Sequence, residues 1–121
     1  MENLSPPPVK SHTECIGVIR PVRDALDILQ GKWKLNIIVT LMFGRKRFTE
    51  IAKEIPGITD KMLSKELRDL EINHLVKRTQ SEGGVAVEYT MTTHGKTLVS
   101  LIDDLRDWGI THRKIILGNH P

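Results

Sequence analysis

The chain of 121 residues is long enough for one domain whose hydrophobic core needs no disulfide or metal to hold it. Its 39% hydrophobic and 27% charged residues are ordinary for a soluble globular protein, and a net charge of +3 permits a nucleic-acid partner without requiring one. The single cysteine, Cys15, excludes an intramolecular disulfide and favours a reducing compartment, leaving open a disulfide between two subunits. The opening "MENLSPPPVKSHTE" has no basic segment followed by an apolar run, and "LNIIVTLMF" is too short to cross a bilayer. Cytoplasmic residence without a membrane partner is the expectation.

Residues 1–13, with Pro6, Pro7 and Pro8 among polar neighbours, are expected to form a flexible N-terminal arm, and residues 14–121 the folded domain. From Pro21 to Gln30, Val22, Ala25, Leu26 and Leu29 keep helical spacing, with Pro21 suited to the first helical position and Gly31 to the residue past the end. A second helix, from about Trp33 to Phe43, is apolar nearly all round and should be the buried central one; Gly44 stops it. Phe48, Ile51 and Ile55 mark a short amphipathic helix ended by Pro56-Gly57.

Thr59 then stands as N-cap of a fourth helix whose inner stripe is Leu63, Leu67 and Leu70. Beyond it the period changes to two. Val85, Val87, Tyr89 and Met91 alternate as a half-buried strand, Leu75 to Gln80 is its partner, and Gly83-Gly84 forms the hairpin tip. Thr92 caps a final helix carrying Leu98, Leu101, Ile102, Leu105 and Trp108 on one side.

A short helix, a tight turn and a second amphipathic helix make a helix-turn-helix, and a hairpin directly after it makes a winged one. The fold expected is therefore mainly α with a small β-hairpin wing. In that arrangement the second helix lies in the major groove of double-stranded DNA. Taken alone, the outer face of residues 57–71 is better read as a solvated charged surface. Between a turn and a wing, DNA contact becomes the better reading. Lys61, Ser64, Lys65 and Arg68 are the residues this helix presents, with Thr59 at its start; hydroxyl, ammonium and guanidinium groups reach guanine acceptors or phosphate oxygens. Arg47 before the short helix, and Lys77, Arg78 and Gln80 on the wing stem, are placed for phosphate, which sets register without reading sequence. From Arg45 to Arg78 there are nine Lys/Arg against six Asp/Glu, which matches the chain's whole excess of positive charge. The competing reading is a winged helix that binds protein. It fits less well, because the outer face offers polar donors where a protein-binding face presents aromatic anchors.

The segments "GKW" (31–33), "RF" (47–48), "GITDKMLSKELRDLE" (57–71), "VEYTMTTHG" (87–95) and "WG" (108–109) together resemble the HxlR-type bacterial transcription regulators. The resemblance runs from about Cys15 to Trp108. It implies a homodimeric winged-helix regulator of MarR-like architecture that binds a pseudo-palindromic operator and is dimeric through its first and last helices. Here that assigns Val22, Leu26, Leu29, Leu105, Trp108 and Ile116 to the interface. Two departures stand out. The wing tip, Glu82-Gly83-Gly84, lacks the proline common in the family and offers no cation, and Cys15 is followed by Ile16 where the family commonly has proline. Cys15 matches the position of an N-terminal cysteine through which some members answer electrophiles or oxidants, so a redox or small-molecule effector is implied. By its own chemistry the residue is equally a small buried hydrophobe, since Arg20 and Arg23 favour a thiolate and Glu14 opposes it.

No enzyme is expected. The five histidines show no metal-ligand spacing, no nucleophile elbow is present, and no cofactor is implied.

Overall fold

The computed structural model describes residues 12–118. The arm expected over residues 1–13 thus lies outside the described residues up to position 11, while His12 and Thr13 are helical. In chain order come α1 (His12–Leu29), α2 (Lys34–Leu41), β1 (Lys46–Arg47), α3 (Phe48–Glu54), α4 (Asp60–Ile72), β2 (Val76–Gln80), a 3-10 turn (Glu82–Gly84), β3 (Val87–Met91), α5 (Thr93–Lys96) and α6 (Leu98–Ile116).

The first helix is longer than its spacing from Pro21 predicts. It begins at His12 and runs through Pro21. Cys15, Val18 and Ile19 continue the stripe of Val22 and Leu26 upstream at helical intervals, and a stripe on both sides carries the helix across the one backbone donor that proline lacks. The second helix is central as expected but shorter and buried on one side only: Ile37, Ile38 and Leu41 form the centre of the core with Ile51 of α3 and Leu63, Leu67 and Leu70 of α4, while Leu35 and, past its end, Phe43 are exposed. Trp33, just ahead of α2, is buried with them. A Cβ at Gly57 would lie 3.8 Å from the far edge of the Trp33 ring, so the turn between α3 and α4 rests on that indole, and Gly57 itself has φ +89°. This explains why "GKW" and "PG" accompany one another in the chain.

The sheet is three-stranded and antiparallel, in the order β1-β3-β2. β1 has only two residues, pairing Lys46 with Tyr89 and Arg47 with Glu88, and was not foreseen; two residues carry no readable period. The hairpin register sets Val76 opposite Met91 and Gln80 opposite Val87. Val85 does not belong to the alternating strand. It is 87% exposed, because β3 begins only at Val87, after the turn. The tip is closed by the Ala86 N–H donating to Ser81 Oγ at 2.9 Å and the Gly84 N–H donating to the Ser81 carbonyl at 2.8 Å.

Thr92 caps the short α5, and α6 follows at once through Thr97. The Gly95 N–H donates to Thr92 Oγ1 at 2.8 Å, the Thr92 hydroxyl donates to the His74 carbonyl at 2.6 Å, and the Thr92 N–H donates to the Leu75 carbonyl at 3.0 Å. These bonds tie the end of the wing to the exit of α4. Gly95 is seated against the same strand, where an added Cβ would fall 2.1 Å from the Leu75 carbonyl oxygen. A methyl group fits only if backbone moves. Gly95→Ala is therefore expected to lower stability by about 1–3 kcal/mol or more, read as a lower urea midpoint at unchanged slope.

Candidate nucleic-acid interface

α4 presents a fixed outer face because both its start and its inner side are held. Thr59 is extended (φ −84°, ψ 158°) and its Oγ1 accepts the Met62 N–H at 3.1 Å, closing the first turn. Leu63, Leu67 and Leu70 are buried, each worth roughly 1.5–3 kcal/mol of apolar burial. That stripe turns Lys61, Ser64, Lys65 and Arg68 outward, and all four are exposed as expected. The Thr59 acceptor is committed to the cap, while its hydroxyl proton stays available to a phosphate.

The basic run before α3 divides. Lys46 pairs with Glu54 at 3.3 Å and Arg45 approaches Glu88 at 3.8 Å. Arg47 is exposed and has no ion pair among the described residues. Its backbone N–H donates to the Glu50 carboxylate at 2.7 Å, which begins α3. On the wing stem, Lys77, Arg78 and Gln80 are all exposed on the edge strand β2. Strand alternation sends Arg78 and Gln80 to one face and Lys77 to the other, so they form no single patch. One face only can follow a given DNA backbone.

Sequence spacing gave no sign of the ion cluster behind α4. Lys34, the first residue of α2, reaches across to Glu66 and also lies 3.4 Å from Asp69. Asp69 in turn is 3.3 Å from Lys65, one helical turn earlier. The Lys34 and Glu66 side chains are only 19% and 16% exposed. Hydrogen bonding to Glu66 holds the Lys34 ammonium above its usual pKa, and hydrogen bonding from Lys65, then Lys34, holds the Asp69 carboxyl below the usual carboxylate value. The partners stand 32 and 35 residues apart, on elements whose facing sides are known only once they pack.

The six interface residues assigned to α1 and α6 also divide. Val22, Leu26, Leu105, Trp108 and Ile116 are exposed, Trp108 by 67%. Leu29 is a correction: it is 8% exposed and belongs to the core, because the last turn of α1 folds over α2. Cys15 is half-buried on α1 with a free thiol. Among the described residues, no helix is long and apolar enough to cross a membrane.

A buried helix, a turn, a second helix whose exposed row carries Lys61, Ser64, Lys65 and Arg68, and a wing define a winged helix-turn-helix, the architecture of transcription regulators. The family model "HxlR-like helix-turn-helix" matches residues 28–115, and the chain belongs to that family. It is 41% identical over 90 residues to the HTH-type transcriptional regulator YdeP of Bacillus subtilis, covering 74% of this chain and 70% of that one. Against YybR of the same organism it is 35% identical over 97 residues, covering 79% and 78%. Among solved structures, the redox regulator HypR in its reduced form superposes with a TM-score of 0.72 at 34% identity, over 81% of this chain and 98% of that one. The reduced form of the transcriptional regulator YodB from B. subtilis gives 0.68 at 38% identity, over 73% and 87%. These relatives are regulators of transcription and not enzymes.

The depressed Asp69 value has a stability consequence. Its ion pairs contribute fully above the ordinary carboxylate pKa of about 4 and are lost as pH falls through the lower folded value. Asp69→Asn is expected to flatten this part of the acid limb, seen by comparing urea unfolding of the two chains at about pH 3 and about pH 6.

Proposed function

We propose that this protein is a cytoplasmic, homodimeric transcription regulator that binds a pseudo-palindromic operator through α4 and is switched at Cys15. The observation that carries the DNA reading is the outer row Lys61, Ser64, Lys65 and Arg68 on a helix held from behind by its leucines. Support for the dimer comes from α1 and α6. α6 has 19 residues and none is buried, while Val18, Ile19, Val22 and Leu26 leave the middle of α1 apolar and open. Such faces call for a partner, and a two-fold dimer places two recognition helices about 34 Å apart on successive turns of one DNA face. Support for the switch comes from neighbours: HypR has been solved in reduced and oxidised forms, and YodB in quinone-bound and diamide-treated forms. Cys15 lies near the start of the open α1, where addition of its thiolate to an electrophile, or oxidation of two Cys15 thiols by peroxide to a disulfide between subunits, the peroxide being reduced to water, would change the helix pairing.

A gel shift on the duplex upstream of the protein's own gene tests the core of this reading. Binding should weaken steeply between low and physiological salt, as several released phosphate counterions require. Absence of specific binding to any upstream duplex would favour a protein-binding adaptor. Sedimentation should find a dimer at micromolar concentration, and a monomer would remove the operator symmetry. Arg68→Ala is expected to cost about 1–3 kcal/mol and relax preference at one base pair; an equal loss on every duplex would make Arg68 a phosphate contact. Cys15→Ser should abolish release of DNA by quinones, aldehydes or peroxide, and unchanged release excludes the switch.

A further inference from the structure

The cluster behind α4 holds two ammonium groups and two carboxylates: Lys34 and Lys65, Glu66 and Asp69. Lys65 belongs to the outer row and is 71% exposed, whereas Lys34 belongs to α2 and is largely covered. Asp69 stands between them, nearly equidistant, at 3.3 Å from one and 3.4 Å from the other. In free protein Lys65 is thus held by a carboxylate of its own helix. To meet DNA it must leave. Without Lys34, its departure would strand Asp69 and Glu66 as two uncompensated negative charges beside the polyanion, because among the described residues no other cation pairs with either.

Resting on the DNA-binding role of α4, we propose that Lys34 is a positioning residue for the recognition helix: from α2 it neutralises Glu66 and Asp69, so that Lys65 can exchange Asp69 for a DNA phosphate or base. Lys34 acts through Lys65 and does not itself touch DNA. The carboxylates of α4 then keep a cationic partner in both free and bound protein. The leucine stripe sets the rotation of α4, and that rotation is what brings Glu66 and Asp69 within reach of Lys34 on α2.

The test is a double-mutant cycle on the upstream duplex, using the full chain. Lys34→Met keeps the aliphatic stem and removes the charge. It should weaken binding about three- to tenfold, the range for coupled neighbouring charges. The salt dependence should also flatten by about one counterion per lost phosphate contact. In a Lys65→Met background the same change should weaken binding less, because only the repulsion from the two bare carboxylates remains and no lysine is left to be released, and adding Asp69→Asn to Lys34→Met should restore most of the binding. An equal loss from Lys34→Met with or without Lys65 overturns the proposal, as does unchanged affinity and salt slope. Lys34→Gln serves as the second variant if the methionine chain does not fold. A DNA-free readout stands beside the cycle: the Asp69 carboxyl, followed by NMR, should titrate at higher pH in Lys34→Met, and an unchanged midpoint shows that Asp69 is not shared. A wild-type chain that binds no duplex overturns the functional reading instead, and the titration still decides the sharing.

Discussion

The structure depends on one packed seam, where Leu63, Leu67 and Leu70 of α4 meet Ile37, Ile38 and Leu41 of α2. Every other property of the reading head follows from which side of α4 is taken. Once that stripe is buried, an amphipathic helix has no freedom about its axis, and the residues left over point outward by geometry alone. The seam also explains the order of the elements. Ile51 of α3 and Ile55 just past its end join the same core, and the Gly57 turn folds α4 back over Trp33, so the helix-turn-helix is closed around α2.

A second constraint is what this core leaves out. α6 contributes half-buried Leu98, Leu101 and Ile102 to the core along its first turns, and from Leu105 onward its apolar residues are exposed among the described residues. The stacking of Trp108 on His112, with ring centroids 4.6 Å apart, covers little of either ring. The molecule therefore has two functionally different exteriors. One is polar and basic, on α4 and the wing stem; the other is apolar, on α1 and α6.

Much of this was legible in the residues, and the failures have physical causes. The helices around the core announced themselves by period, and Thr59 and Thr92 by their capping chemistry; both hydroxyls accept the backbone bonds expected of them. Pro21 misled because proline is a strong signal for a helix start, yet a stripe continuing through Cys15 and Val18 outweighs one missing donor. Leu29 and Val85 could not be placed by spacing. Each sits at the end of an element, where alternation no longer says whether the residue is inside. The Lys34 cluster was hidden for another reason: charge pairing between α2 and α4 depends on their mutual rotation, which the core decides and the local pattern does not.

Gly95 shows how the two exteriors are joined. Its contact with the Leu75 carbonyl leaves no slack between the base of the wing and the start of α6, and Thr92 bonds both to the exit of α4. α6 extends about 28 Å from that point. It is a lever with its fulcrum at a glycine. A rotation of about 5° there carries the far end of the helix roughly 2.5 Å over that length, and the reverse holds: a small displacement among the distal turns of α6 arrives at the recognition helix as a change of angle. The far end of α6 and the orientation of α4 are thus mechanically linked through Gly95 and Thr92.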